Sequence, residues 1–182
     1  MKSPSHQDNY YIISGAPGSG KSTILNKLKH KGYTCVDEPA REIISEQRSI
    51  NGEGLYNRDK KLFLELMLSR AIYQYKQPYD GDNFIIFDRG IPDMIGYAKL
   101  FQVNTSSSIN AAKIYQYNKN ILFLPGWQEI YVTDEDRTMS FEAAKTFGDL
   151  IRQSYIDLGY NIIDVPLLDI DKRVNFVLEL LN

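Results

Sequence analysis

Cysteine is nearly absent: Cys35 is the only one in 182 residues. The chain therefore forms no internal disulfide and builds no cysteine-rich zinc site, and a single thiol fits a reducing compartment. Histidine is almost as scarce. His6 sits in the polar N-terminal stretch and His30 near a helix end, neither beside a plausible metal constellation. Long hydrophobic runs are missing too. Nothing approaches the roughly 20 apolar residues of a membrane span, and Met1 to Asn9 is polar with no signal-peptide core. No membrane association is expected, and the cytoplasm is the expected address. Charge of one sign is also lacking: 21 Lys and Arg face 23 Asp and Glu, a net charge of −2 without blocks of like charge. That balance offers no support for binding long nucleic acid. What remains, 43% hydrophobic and 24% charged, is ordinary for one globular domain. It is expected over residues 10–182, after a flexible tail at 1–9.

The informative features start at the tenth residue. Gly15-Ala16-Pro17-Gly18-Ser19-Gly20-Lys21-Ser22 fits G-x-x-x-x-G-K-[ST] without a mismatch. The apolar run Tyr10-Tyr11-Ile12-Ile13 precedes it as a strand, and Thr23 to Leu28 follows with helical spacing. Strand, glycine loop and helix form the context in which this pattern cradles phosphate. Glycines let successive backbone N–H groups turn inward, and the helix N-terminus adds partial positive charge. Residues Gly15 to Thr23 are thus expected to hold a nucleoside triphosphate, ATP with Mg²⁺. Lys21 would reach the β- and γ-phosphates and the Ser22 hydroxyl would ligate the metal.

Periodicity predicts the remaining elements. Helix one runs over 21–30 and ends at Gly32, and strand two covers 33–36. A helix over 39–47 starts at Pro39, and a loop with Gly52 and Gly54 occupies 49–57. The clearest helix covers 58–76, with Leu64, Met67, Leu68, Ala71, Ile72 and Tyr75 on one face. Phe84 to Phe87 and Ile121 to Leu124 read as strands buried on both sides, with helices near 92–101 and 109–118. The polar stretch Asn104 to Ser108 reads as a loop. A long helix over 140–158 ends at Gly159, Asn161 to Val165 makes the last strand, and Val174, Val177, Leu178 and Leu181 stripe a terminal helix. Strands alternating with helices imply a parallel sheet covered on both faces.

Asp88 follows the third strand, where open α/β sheets bind ligands. It could hold Mg²⁺ through water or orient the acceptor; as a structural residue it would cap the next helix. Arg89 is a planar fork suited to phosphate or carboxylate, or to an ion pair with Asp88 or Asp93. Glu38 follows strand two and could take a proton from an acceptor hydroxyl, with Arg41 neutralising phosphate charge. The alternative is that Asp37 or Glu38 caps the helix at Pro39. Arg137, in the aperiodic segment 125–139, could close as a lid over the γ-phosphoryl group or pair with Asp134 or Asp136. Trp127 and Tyr131 could stack on a base or pack the lid.

At these residues the chain resembles small P-loop kinases with a nucleoside-monophosphate-kinase-like core. Glu38-Pro39-Ala40-Arg41 is similar to the Glu-Pro motif of deoxynucleoside kinases, where the glutamate deprotonates a sugar hydroxyl. Asp88-Arg89-Gly90 is similar to their acidic-Arg-Ser motif, with Gly90 in place of serine. Nearly all of residues 10–181 resembles a group of small predicted ATPases, AAA-type domains also similar to ribosylnicotinamide kinase. They share EPAREII, FDRGIPD, LPGWQEIY, the DEDR lid and YIDLGYNIIDVP as these stand here. The resemblance implies a three-layer P-loop NTPase fold of the α/β class, a five-stranded parallel sheet of order 2-3-1-4-5, and Arg137 as lid arginine. The segment 47–76 lies where acceptor specificity is built in such enzymes.

The expected activity is Mg²⁺-ATP-dependent transfer of the γ-phosphoryl group to a small nucleoside- or nucleotide-like acceptor. Lys21, Glu38, Asp88 and Arg137 are the catalytic candidates. Glu38, Arg41, Asp88 and Arg89 would bind the acceptor, and Ser22 and Asp88 the metal. The alternative is an ATPase or nucleotide-controlled switch that acts on a partner protein.

Overall fold

A computed structural model describes residues 5–79, 84–133 and 139–181. Five parallel strands form the central sheet: β1 (Tyr10–Gly15), β2 (Thr34–Val36), β3 (Ile85–Asp88), β4 (Asn120–Leu124) and β5 (Asn161–Asp164), in the spatial order β2-β3-β1-β4-β5. The expected 2-3-1-4-5 topology is therefore the observed one. The helices are α1 (Lys21–His30), α2 (Ala40–Ser49), α3 (Lys60–Tyr75), α4 (Asp93–Phe101), α5 (Ser106–Ile114), α6 (Phe141–Asp157) and α7 (Ile170–Leu181). Among the described residues, none of these helices is long and apolar enough to cross a membrane.

Alternation along the strands sorts the core into two faces. Ile12, Ile85, Phe87, Ile121 and Phe123 point to a cluster closed by residues of α3 to α6. Ile13, Ile86, Leu122 and Leu124 point to a second, closed by α1 and α7. Both faces of the central strands are buried, which is why they read as unbroken apolar runs. A third, smaller cluster joins α2, α3 and α4 through Ile43, Phe63, Leu64, Met67, Met94 and Ala98.

Register places the site. Ile13 lies opposite Asp88 and Gly15 opposite Leu124. β1 and β4 end level at Gly15 and Leu124, and β3 ends two residues earlier at Asp88, so the glycine loop leaves the sheet just beyond Asp88.

Four local expectations need correction. Asp88 is the last residue of β3 and not a cap beyond it. Residues 5–9, expected in a flexible tail, include a two-residue strand, Ser5–His6, paired with Tyr115–Gln116. The Tyr75 hydroxyl lies 2.8 Å from both the Ser5 and Gln116 carbonyl oxygens, a tertiary contact that local sequence cannot signal. The segment 104–108 is not all loop, because α5 already begins at Ser106, where Asn104 Oδ1 accepts from the Ser106 N–H at 2.8 Å. Such side-chain bonding makes polar residues as suitable for a helix start as for a loop. Finally, α5 ends at Ile114, four residues short of expectation, because Tyr115 and Gln116 turn extended.

Candidate active site

The loop between β1 and α1 has no side-chain cap, and no acidic residue occupies the first turn of α1. The first amides of α1 are thus open to an anion. Gly15 has φ +142°, and a Cβ there would lie 2.1 Å from the Leu124 carbonyl oxygen, so no side chain fits. The loop holds its shape through its own hydrogen bonds: Ala16 N–H donates to Leu124 O at 3.1 Å, and Ser19 Oγ to Ala16 O at 2.7 Å. Lys21 Nζ folds back to donate to Ala16 O at 2.9 Å. Ser22 and Thr23 remain exposed on the cleft.

That cleft, about 700 Å³, runs over the sheet's carboxyl edge and is lined by Lys21, Ser22, Glu38, Arg41, Asp88 and Arg89 together. Two carboxylates, a lysine and a guanidinium therefore share one buried corner. Burial and the neighbouring Glu38 raise the Asp88 pKa to about 6, against the opposing pull of Lys21 and Arg89. Burial, with Arg89 beside it, lowers Lys21 to about 8. Glu38 behaves differently. Burial pushes it upward, but Arg89, the Tyr97 hydroxyl and Lys21 together hold it below the ordinary carboxylate range. Glu38 Oε1 accepts from Tyr97 Oη at 2.7 Å.

Arg89 is 6% exposed. Its Nε lies 2.9 Å from Glu38 Oε1, an ion pair by distance although the N–H is not aligned on that oxygen. Its Nη1 donates to Asp93 Oδ1 and to Gly15 O, both at 3.0 Å. The guanidinium is thus committed to Glu38, Asp93 and the phosphate loop. Of the two alternatives raised by the sequence, the Asp93 pair is the one formed, though it is buried and not at the surface. Asp93 is fully buried and also accepts from Ser14 Oγ at 2.5 Å, from Gly90 N–H at 2.8 Å and from the Tyr155 hydroxyl. It locks β1, α4 and α6 around Arg89. A Cβ on Gly90 would lie 2.3 Å from the Ile12 δ-methyl, so glycine stands where the related motif has serine.

Asp88 Oδ1 is buried without a hydrogen-bond partner. An orphaned carboxylate oxygen costs free energy unless something binds it. It and the exposed Ser22 hydroxyl are the groups that fit Mg²⁺. Among the described residues no cluster of three or more His, Cys, Asp or Glu could hold a metal alone.

Arg41 is exposed on the first turn of α2 and makes no ion pair with any described residue. Arg137 falls in 134–138, outside the described residues. Tyr131 packs: its hydroxyl donates to Met139 O at 2.6 Å and its ring meets Phe141 edge-on. Trp127 lines the cleft at the far end, with the Arg173 guanidinium 5.4 Å over its ring.

Arg173 escaped the sequence reading. It is 2% exposed, donates from Nη2 to Ser19 O at 2.8 Å, and fills the space a Cβ on Gly20 would need, 2.8 Å from Nη1. A signal did exist, since Arg173 precedes Val177 and Leu181 by four and eight residues and so falls on the inward stripe. Tyr97 carried no comparable mark; only folding brings α4 to Glu38.

Residues 10–173 match a family described as an AAA domain. No curated protein matches the chain by sequence. Among solved structures, the fold is similar to deoxyadenosine kinase from M. mycoides with the products dCMP and a flexible dCDP bound, at 22% identity and TM-score 0.69, covering 95% of this chain and 98% of that one. It is similar to the NadR protein in complex with NR, at 17% identity and TM-score 0.67, covering 94% of this chain and 51% of that one. Thymidylate kinase from Candida albicans is 19% identical with TM-score 0.60, at coverages of 94% and 89%. At such identities the likeness is one of fold. The sequence match over most of its length places the chain in this AAA-domain family, built on the fold of P-loop nucleoside and nucleotide kinases.

Proposed function

We propose that this protein is a Mg²⁺-ATP-dependent phosphotransferase acting on a small nucleoside- or nucleotide-like acceptor. One observation carries the reading: the phosphate-loop lysine, an unpartnered buried carboxylate oxygen on Asp88 and an ionised Glu38 open onto the same cleft. Transfer of a phosphoryl group needs positioning and charge stabilisation more than covalent help from the protein.

In this reading the loop amides and Lys21 hold the β- and γ-phosphates of ATP. Ser22 and Asp88 would hold Mg²⁺, which supplies neutralisation of the phosphate charge. Glu38, fixed by Arg89 and Tyr97, accepts a hydrogen bond from the attacking hydroxyl and takes its proton as the new bond to the γ-phosphorus forms and the bond to the bridging β-phosphate oxygen breaks, releasing ADP. Arg41, without an ion pair among the described residues, faces charge on the transferring group. Arg137 is proposed as the lid arginine that adds to this from above. The cleft continues past Glu38 to Ile44, Tyr56 and Phe101, which supports an acceptor over simple hydrolysis.

The test is a phosphate-transfer screen of nucleosides, nucleotides and related ribosides with ATP and Mg²⁺. Glu38→Gln should keep parental ATP affinity and lose transfer by roughly 10²- to 10⁴-fold. If no acceptor accelerates ATP turnover and Glu38→Gln hydrolyses ATP at the parental rate, the transfer reading fails and a partner-directed ATPase takes its place.

A further inference from the structure

The cleft reaches from the phosphate loop to α2, α3 and α4. The end built by α2, α3 and α4 is aromatic. Ile44, Tyr56, Tyr97, Leu100 and Phe101 line it and are only half-buried, so part of each remains open to the cleft. Ring contacts run continuously along this wall: Tyr56 to Phe63 at 6.3 Å, Phe63 to Phe101 at 6.2 Å, Phe101 to Tyr97 at 5.9 Å, and Tyr97 to Phe147 at 4.7 Å.

The polar groups at this end are few: Glu38, Arg89 and the Tyr97 hydroxyl, which are bound to one another, and the Arg41 guanidinium and Tyr56 hydroxyl. The Tyr97 hydroxyl bonds Glu38, and Arg89 serves Glu38, Asp93 and Gly15. No asparagine or glutamine lines the cleft among the described residues. A ring entering here meets carbon and π-faces, with no fixed amide to read its donor and acceptor edge. Stacking is tolerant of base identity because every base presents a π-face.

Electrostatics selects the group that meets the phosphate. Glu38 stays ionised because Arg89 and Tyr97 offset its burial. An ionised carboxylate accepts from a hydroxyl and repels a second phosphate at close range. Of the two cations on this side of the cleft, Arg89 is already shared with Asp93, and Arg41 is taken in this reading by the transferring γ-phosphoryl group.

We infer, resting on the phosphotransferase reading, that the acceptor is an uncharged alcohol bearing a planar aromatic ring, a nucleoside held by stacking with little selectivity for the ring's hydrogen-bonding edge. The test uses the full chain with Mg²⁺-ATP and compares adenosine, guanosine, cytidine and uridine with their 5′-monophosphates and with ribose, by kcat/KM and by calorimetric binding. The four nucleosides should fall within about tenfold of one another, with monophosphates and ribose at least about 100-fold lower. Phe101→Ala should raise the nucleoside KM about tenfold and leave the KM for ATP unchanged, and Phe101→Tyr should restore it. Two results overturn the inference: one nucleoside preferred by more than 100-fold, or a monophosphate or ribose used in preference to all four nucleosides. If nucleosides bind within the same tenfold range but receive no phosphate, the phosphotransferase reading falls and the stacking site stands. If none of them binds, the stacking site falls, whatever other acceptor is phosphorylated.

Discussion

Two residues at the cleft titrate near neutrality, in opposite senses. In the proposed reaction Lys21 acts as a cation, and burial brings its pKa down to about 8 in the free protein. Asp88 acts there as an anion, and burial brings it up to about 6. The transfer rate kcat/KM, which reports the free enzyme, should therefore fall below about pH 6 and above about pH 8. Phosphate binding favours charged Lys21, so ATP binding at pH 8.5 should take up protons, seen as a buffer-dependent heat in calorimetry. A flat profile from pH 5 to 9 would remove both assignments. The Asp88 shift has a stability consequence as well. A carboxyl whose folded pKa is raised stabilises the protein when protonated and loses that contribution as pH rises through about 6. Asp88→Asn, which mimics the neutral form, should raise the melting temperature at pH 8 relative to the parent, with the gain shrinking toward pH 4, while transfer activity is lost.

At the scale of elements, the cleft depends on how α3 and α7 are anchored. Asp59 Oδ1 accepts from the Leu62 N–H at 2.9 Å and caps the helix that carries Phe63 into the acceptor end. Asp59→Ala should cost about 1 kcal/mol, read as a shift of the denaturation midpoint at unchanged m-value. Arg173 anchors the other end by bonding the Ser19 carbonyl across from Trp127. Arg173→Met should weaken ATP binding more than it slows transfer at saturation, because it loosens the phosphate loop and leaves Glu38 and Asp88 in place. Equal loss in KM and kcat would argue against that division. These anchors were unevenly legible. The run Leu64, Met67, Leu68, Ala71, Ile72, Tyr75 announced α3 through its own spacing. The start of α5 at Ser106 was hidden because serines suit loops and helix starts equally.

At the scale of the molecule, a nucleotide bound across β1, α1 and β3 stabilises the folded state by mass action. Mg²⁺-ATP at 100 times its Kd should add about 2.7 kcal/mol, seen as a rise in melting temperature that Lys21→Ala abolishes. No rise for the parent protein would count against the phosphate site itself. The alternation of strands and helices, and the strand order implied by the resemblances, were already written in the residue pattern. So was the phosphate loop, because glycine spacing and apolar periodicity are local properties of the chain. The contacts of Arg89, Asp93, Tyr97 and Arg173 arise only on folding. Their roles depend on partners 4 to 154 residues away in the chain, and on burial that turns a surface-type ion pair into a fixed scaffold for Glu38. Low dielectric and distant contacts set the charge state of the site, and neither is written in any short stretch of residues.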